Sequence, residues 1–170
     1  MARATFAGMS AVRILAVTVS DTRTAADDSS GARLAELLTE AGFQVKRHPP
    51  IHDELNDIAD LVRSAASDGD IDAIVLTGGT GIAPRDVTPE AVESVLEKRL
   101  EGFGEEFRRR SWDQIGPRAM LSRATAGVLR GSVVVSLPGS VKAVELGVAL
   151  LAPVLAHMVD LATGRATRHP

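Results

Sequence analysis

Residues 71–91 read IDAIVLTGGTGIAPRDVTPEA, and this stretch determines which class of fold the chain can form. Residues 71–76 are nearly all apolar, which is typical of a strand that is buried on both faces of a sheet. A loop with three glycines follows directly. Thr88 and Pro89 then indicate the start of a helix, because threonine is a favourable N-cap and proline a favourable first helical residue.

The alternation of strand and helix continues on both sides of this stretch. Further strands are predicted at residues 12–19, 43–47, 125–129 and 133–137. Further helices are predicted at 29–41 with Ser29 or Ser30 as N-cap, from Asp53 or Asn56 to about 67, at 103–114 and at 141–163. This alternation predicts an α/β fold with three layers, α/β/α, around a mostly parallel sheet. We expect residues 11–170 to form one domain after a flexible N-terminal arm at residues 1–10.

The composition excludes several classes of function. The chain contains no cysteine, which rules out disulfides, thiolate metal sites and cysteine nucleophiles. A net charge of −3 and an aromatic content of 3% argue against a nucleic-acid partner, which needs basic surface and rings for base stacking. No apolar run approaches the roughly 20 residues of a membrane-spanning helix. We therefore expect a cytoplasmic protein without a membrane partner.

Four polar or glycine-rich segments follow predicted strands. They are residues 20–22 (Ser-Asp-Thr), 51–53 (Ile-His-Asp), 77–86 and 138–140 (Pro-Gly-Ser). In open α/β sheets, ligands bind in the crevice outside the carboxyl ends of the strands. The sequence therefore predicts that all four segments meet near one edge of the sheet and form a ligand site there.

The glycine loop is predicted to bind an anion. Its glycines, Gly78, Gly79 and Gly81, permit positive φ angles and close approach to a ligand, and successive backbone N–H groups form a nest for an anion. Thr77 and Thr80 are expected to add hydroxyl donors. The loop has neither the Gly-Lys-Ser/Thr of a Walker P-loop nor the Gly-x-Gly-x-x-Gly of a dinucleotide fold, so it binds phosphate by another design. The alternative is a tight turn that merely reverses the chain.

The segment Pro138-Gly139-Ser140 offers a second anion site at the start of the last predicted helix. Backbone N–H groups at a helix N-terminus bind anions well. Ser140 also fits the role of a simple N-cap, and this role is compatible with anion binding.

Two aspartates lie where a metal ion would be useful. Asp86 directly follows the glycine loop, and its carboxylate would repel a bound phosphate unless a divalent cation such as Mg²⁺ bridged the two anions. Alternatively, Asp86 only interacts favourably with the N-terminus of the following helix. Asp53 can supply a second carboxylate, or it can simply cap its own helix.

Together, these motifs resemble the MoaB/Mog family of molybdenum-cofactor biosynthesis proteins, from about residue 12 to residue 162. The strongest match is TGGTGIAPRDVTPEA at residues 77–91. It is supported, in the same order as in the family, by VTVSDT at 17–22, GFGE at 102–105, LSRA at 121–124 and LPGS at 137–140. Val141 departs from the family pattern, which commonly has proline there. Valine keeps a backbone N–H that can point at a ligand, so we expect binding to survive.

The resemblance implies a homotrimer or homohexamer with the molybdopterin-binding domain fold. Active members of the family transfer AMP from Mg-ATP to the molybdopterin phosphate and release pyrophosphate. The two aspartates that serve the Mg²⁺-dependent step correspond to Asp53 and Asp86. The pterin-phosphate site corresponds to residues 77–81 and 138–140, and Ser20 and Asp21 would line the same pocket.

Two functional hypotheses follow from this resemblance. The first is a molybdopterin adenylyltransferase, with ATP and molybdopterin as substrates and Mg²⁺ as cofactor. The second is a MoaB-type protein that binds molybdopterin, or acts as a scaffold, without adenylylation activity. In either case the resemblance implies a molybdenum-insertion enzyme of the same pathway as a further partner.

Overall fold

The computed structural model describes residues 11–165, and these residues form a six-stranded, mostly parallel sheet with the strand order β2-β1-β3-β6-β5-β4. The strands are β1 (Arg13–Thr18), β2 (Gln44–Arg47), β3 (Ala73–Thr77), β4 (Lys98–Arg99), β5 (Thr125–Leu129) and β6 (Ser132–Leu137). Strands β2, β1, β3 and β6 run parallel, whereas β5 is antiparallel to both β6 and β4. The predicted α/β class is therefore confirmed. The arm predicted at residues 1–10 lies outside the described residues.

Helices cover both faces of this sheet. They are α1 (Ser29–Glu40), α2 (Leu55–Ser67), α3 (Thr88–Glu93), α4 (Glu101–Ile115), α5 (Val141–Leu151) and α6 (Leu155–Ala162), with a 3-10 helix at Gly116–Leu121. One apolar core joins side chains of α1, α4, α5 and α6 to one face of the sheet, and a second joins α2 and α3 to the other. Strand β3 is buried along its whole length, as its apolar sequence predicts.

The carboxyl ends of the central strands lie level with one another. In the parallel ladders, Thr18 of β1 is opposite Thr77 of β3, and Thr77 is opposite Leu137 of β6. Val19 also forms a parallel bridge with Ile51. All four predicted segments therefore leave the sheet at the same edge, which confirms this part of the sequence analysis.

The single helix predicted at residues 141–163 was wrong, because the chain forms two helices there. Helices α5 and α6 are bent by 63° at the break between Leu151 and Leu155. Pro153 lies in this break, where its ring and its missing N–H prevent the helix from continuing. Within residues 11–165, no single helix is long and apolar enough to cross a membrane, and only this bent pair meets the length and composition limits together.

The predicted N-caps of the first three helices were also wrong. Asp28, not a serine, caps α1, and its carboxylate accepts a hydrogen bond from Gly31 N at 2.9 Å. Glu54 precedes α2, so neither Asp53 nor Asn56 is its cap. Thr88 is the first residue of α3 and makes no side-chain cap. These shifts are one or two residues long, but they release the side chain of Asp53 for another role.

We predict that Gly147→Ala lowers the free energy of unfolding by about 1–3 kcal/mol, the usual cost of overpacking a core. A Cβ on Gly147 of α5 would lie 2.5 Å from a Leu137 methyl group of β6. Gly102→Ala on α4 is the matched control, because a Cβ there meets no atom of residues 11–165 within 4 Å beyond its chain neighbours and its own helix backbone. Alanine should stabilise that helix by up to about 1 kcal/mol. Urea unfolding measures both variants, and equal effects would contradict the packing argument.

Candidate anion-binding and metal site

A cavity of about 580 Å³ opens at the carboxyl edge of the sheet. Its walls contain most of the side chains and turns that the sequence analysis predicted for the site. The predicted residues that line it are Ser20, Asp53, Gly78, Gly79, Thr80, Gly81, Asp86, Pro138, Gly139 and Ser140. Phe107, Ala143 and Leu146 add an apolar wall. The structure therefore brings together segments that lie far apart in the chain.

The glycines of the loop permit contacts that no other residue could make. Gly78 and Gly79 have φ angles of 109° and 63°, in the region that favours glycine. A Cβ on Gly78 would collide with the carbonyl oxygen of Val19, and one on Gly79 would collide with the carboxylate of Asp53. A Cβ on Gly81 would lie 2.6 Å from Oδ2 of Asp86. Each candidate metal ligand therefore packs directly against a glycine of the loop.

The Asp53 carboxylate is in an unfavourable environment. Its Oδ1 atom is buried and has no hydrogen-bond partner among the described residues. Burial raises the pKa of this carboxyl above its ordinary value, and the negative charges of Asp21 and Asp86 raise it further. Burying a charge without a partner is costly, so the site favours a positive ligand or a proton at this oxygen.

The two aspartates alone do not form a complete metal site. Among residues 11–165, no group of three or more His, Cys, Asp or Glu side chains could hold a metal ion. Mg²⁺ characteristically uses one or two carboxylates and completes its shell with water and substrate phosphates. Asp53 and Asp86 fit this pattern, in which the ion would be bound together with a phosphorylated ligand.

Asp86 is fixed by its own loop rather than by helix α3. Its Oδ2 accepts a hydrogen bond from Ala83 N at 2.9 Å, and its backbone N–H donates to Ala83 O at 2.9 Å. Helix α3 begins only at Thr88, whose buried hydroxyl has no partner among the described residues. This geometry holds the carboxylate at the wall of the cavity.

Asp21 and Thr77, which were predicted to contact the ligand, do not line the cavity. Asp21 accepts two hydrogen bonds from Arg85, at 2.9 and 2.6 Å, and one from the backbone N–H of Asp53, at 3.1 Å. The bonds from Arg85 lower the pKa of the Asp21 carboxyl. Asp21 therefore lies outside the cavity and holds the backbone of Asp53 in place.

Thr77 connects the two glycine turns. Its side chain is fully buried, and its hydroxyl donates to the carbonyl oxygen of Pro138 at 3.1 Å. The expectation that this hydroxyl is a donor to the ligand was wrong, because the hydrogen bond to the neighbouring turn already uses it.

The second turn combines a helix cap with a cationic side chain. Ser140 is the N-cap of α5 and accepts from Ala143 N at 3.2 Å, and Val141 starts this helix without the proline common in the family. Arg23 donates to the carbonyl oxygen of Gly139 from two of its nitrogens, each at 3.3 Å. Arg118 and Lys142 also line the cavity.

Arg23 was missed by the sequence analysis, and a buried carboxylate supports its position. Asp28 lies 3.9 Å from the guanidinium of Arg23 and is itself held by Thr18 at 2.6 Å and Arg47 at 3.0 Å. The only signal in the sequence is that Arg23 follows the segment 20–22 at a strand end. The cavity therefore has carboxylates beside the first turn and an arginine beside the second.

Comparisons with known proteins agree with this architecture. The family model "Probable molybdopterin binding domain" matches residues 15–157. The chain is 47% identical over 150 residues to molybdenum cofactor biosynthesis protein B of Halalkalibacterium halodurans, covering 87% of this chain and 88% of that protein. It is 45% identical to the Bacillus subtilis protein of the same name, over the same shares of the two chains.

Solved structures show the same fold. A crystal structure of molybdenum cofactor biosynthesis protein B has a TM-score of 0.87 at 44% identity, covering 90% of this chain and 96% of that one. The tungsten cofactor synthesizing protein MoaB from Pyrococcus furiosus has a TM-score of 0.82 at 33% identity, covering 92% and 99%. The resemblance indicated by the motifs is confirmed, and the chain belongs to the MoaB/Mog family of molybdenum cofactor biosynthesis proteins.

Proposed function

We propose that the protein is a molybdopterin adenylyltransferase, which transfers AMP from Mg-ATP to the phosphate of molybdopterin. The observation that carries this proposal is the buried carboxylate oxygen of Asp53, which has no hydrogen-bond partner within residues 11–165. It packs against Gly79 of the anion-binding loop, and Asp86 lies beside the same loop. Paired carboxylates next to anion sites are what a reaction between two phosphates with a divalent cation requires.

The glycine loop supplies donors for the phosphate of the pterin. Within residues 11–165, the backbone N–H groups of Gly79, Thr80 and Gly81 donate to no protein acceptor. The adjacent turn adds the N-terminus of α5, with Ser140 as its cap. Arg23 brings a positive charge next to this turn. Together these groups would hold a phosphate whose oxygen is the nucleophile.

The chemistry needs positioning and charge neutralisation rather than a protein nucleophile. A phosphate oxygen of molybdopterin forms a bond to the α-phosphorus of ATP. The bond from that phosphorus to the oxygen that bridges to the β-phosphate breaks, and pyrophosphate leaves with the electron pair. Mg²⁺, held by Asp53 and Asp86, would neutralise the charge on the phosphates and reduce the repulsion between the two substrates. The chain's own task is to hold the two phosphates in line within a sheltered cavity.

A molybdopterin-binding protein without adenylylation activity is the second candidate. The features that favour it are Arg23 and the second turn, because they can bind a phosphate without any metal ion. Purified protein mixed with molybdopterin and Mg-ATP distinguishes the two functions. Pyrophosphate release supports the enzyme, whereas tight pterin binding without release supports the binding protein.

The assembly and pathway partners stay predictions from the family resemblance. A homotrimer or homohexamer is expected, and the mass of the protein in solution measures which of these forms. Binding of a molybdenum-insertion enzyme of the same pathway is also expected, and a direct interaction measurement tests it.

We predict that Asp53→Asn and Asp86→Asn each reduce pyrophosphate release by on the order of 100-fold or more, a loss typical for a group that stabilises charge in a transition state. Asp57→Asn is the matched control, because Asp57 is an exposed carboxylate of α2 outside the cavity. Each variant is assayed with molybdopterin and Mg-ATP. Wild-type rates for Asp53→Asn or Asp86→Asn would refute the proposed metal role.

We predict that Asp53→Asn stabilises the folded protein in the absence of metal, although it reduces activity. The fold raises the pKa of this carboxyl above its unfolded value, so the ionised group destabilises the folded state at neutral pH. This penalty grows as the pH rises from about 4 through the folded pKa and is absent below about 4, where both states are protonated. The metal-free variant should therefore have a higher Tm than the wild type at pH 7, and this difference should shrink towards pH 4. A lower Tm at pH 7 would contradict the role assigned to burial.

We predict that Arg23→Ala weakens molybdopterin binding by roughly 10- to 100-fold, since a hydrogen bond to a charged group contributes about 1.5–3 kcal/mol. The KM for molybdopterin should rise more than kcat falls. Arg63→Ala is the control, because Arg63 is paired with Asp60 on the exposed face of α2. An unchanged KM in Arg23→Ala would exclude a contact with the substrate.

A further inference from the structure

The segment 121–124 (Leu-Ser-Arg-Ala) contains an arginine that the proposed reaction does not use directly. Arg123 lies between the 3-10 helix and β5, and its guanidinium reaches across to the glycine loop. Its Nε donates to the carbonyl oxygen of Gly81 at 2.9 Å, and its Nη2 donates to the carbonyl oxygen of Asp86 at 2.8 Å. Its Nη1 forms an ion pair with Glu90 of α3. One planar group therefore holds both ends of residues 81–86.

The backbone of residues 81–86 has few other restraints. The hydrogen bonds within them connect Ala83 and Asp86 only. Ile82 leaves 69% of its surface exposed, so it adds little packing. A loop with few buried contacts opens easily unless other groups hold it. The side chain of Arg85 connects the loop to Asp21 and Glu54. Among residues 11–165, the bonds from Arg123 are the hydrogen bonds that connect the backbone of this loop to the body of the protein.

The two bonds act on Gly81 and Asp86, the two residues of this loop that line the cavity. A peptide group is planar, so holding the carbonyl of Gly81 also fixes the direction of the next N–H, that of Ile82. Holding the carbonyl of Asp86 fixes the backbone from which its carboxylate projects towards the cavity. The guanidinium also places a positive charge next to the loop that binds anions in the proposed function. Lysine could not reproduce this geometry, because it has no rigid fork of donors.

We propose that Arg123 is a positioning residue that holds residues 81–86 in the shape needed to bind a divalent cation together with a nucleoside triphosphate. In this shape the carboxylate of Asp86 packs against Gly81. This inference rests on the proposed function, because the ligand class is the one that adenylyl transfer needs. Arg123 itself does not line the cavity, and it acts through the loop.

The first test measures the loop directly, without substrate or metal. Amide hydrogen exchange of residues 81–86 should be about 10-fold faster or more in Arg123→Ala than in the wild type. Arg123→Lys should behave like the alanine variant, and added guanidinium ion at millimolar concentration should slow the exchange in Arg123→Ala. Arg108→Ala is the matched control. Arg108 lines a surface pocket together with Arg123, but the one hydrogen bond of its side chain within residues 11–165 is a 3.5 Å bond to the carbonyl oxygen of Ser122. Unchanged exchange in Arg123→Ala would overturn the proposal.

The second test measures the metal site, with Mn²⁺ as a probe in the presence of ATP. Arg123→Ala should weaken Mn²⁺ binding by about 10- to 100-fold, the usual effect of removing a group that orients metal ligands. In turnover, the Mg²⁺ concentration for half-maximal rate should rise by a similar factor, while kcat at saturating Mg²⁺ falls less. Wild-type Mn²⁺ affinity in Arg123→Ala would overturn the proposal.

Glu90→Gln separates the loop from helix α3. This variant removes the ion pair to α3 but leaves both bonds from Arg123 to the loop carbonyls in place. If it matches Arg123→Ala in exchange and Mn²⁺ affinity, Arg123 only anchors the helix and the proposal fails. If it stays close to the wild type, the loop bonds carry the effect, as we expect.

Failure of adenylyl transfer can be told apart from failure of this inference. A wild-type protein that binds Mn²⁺ with ATP but releases no pyrophosphate refutes the transferase, and the role of Arg123 is then decided by exchange and Mn²⁺ affinity alone. A wild-type protein that turns over normally, with an equally active Arg123→Ala variant at every Mg²⁺ concentration, refutes the role of Arg123 and leaves the transferase intact.

Discussion

The parallel pairing of β1, β3 and β6 is the constraint on which the rest of the structure depends. Its register sets Thr18, Thr77 and Leu137 side by side, so the three strands end at one level. The glycine loop can then bond to both neighbours, through Val19 N to Thr77 O at 2.8 Å and Gly78 N to Leu137 O at 2.9 Å. A register shift of one residue would exchange the faces of the strands and separate these turns. The cavity exists because three strands, joined by chain segments of different lengths, end at the same level of the sheet.

The electrostatics of the cavity follow from how each carboxylate is compensated. Asp21 is paired with Arg85, and Asp28 is surrounded by hydrogen-bond donors and two arginines, so both have partners within the protein. Oδ1 of Asp53 has no such partner in the described part of the chain, and burial together with neighbouring negative charge raises the pKa of this carboxyl. Because Gly79 has no side chain, this carboxylate can lie directly against the loop. The fold therefore tolerates one uncompensated oxygen at the place where a cation would be most useful.

Local patterns in the sequence predicted the fold and the loops at the carboxyl edge of the sheet, but not the part of the cavity wall that helix α4 and the 3-10 helix supply. The apolar run of β3, the glycines after it and the Pro-Gly-Ser turn are signals within a few residues, and the parallel arrangement places them together. Features that depend on distant contacts were not predictable in this way. Arg23 bonds Gly139 across 116 positions, and Arg123 bonds Gly81 across 42, and an arginine in a loop carries no sign of such a partner. The break at Pro153 could have been predicted, but the apolar sequence on both sides indicated a continuous helix.

The same geometry bears on which of the two functions the site suits better. A protein that only binds a phosphate needs N–H donors and cations, and the second turn with Arg23 already provides both. Such a protein gains nothing from carboxylates beside the loop, because a phosphate in the nest would be repelled by Asp53 and Asp86. The repulsion turns into attraction only when a divalent cation lies between the carboxylates and the ligand, and a complete Mg²⁺ shell would then draw on substrate oxygens. A buried carboxylate oxygen without a partner among residues 11–165 is a cost that binding alone does not explain. This argument favours an enzyme that brings a cation and a second phosphorylated substrate to the loop.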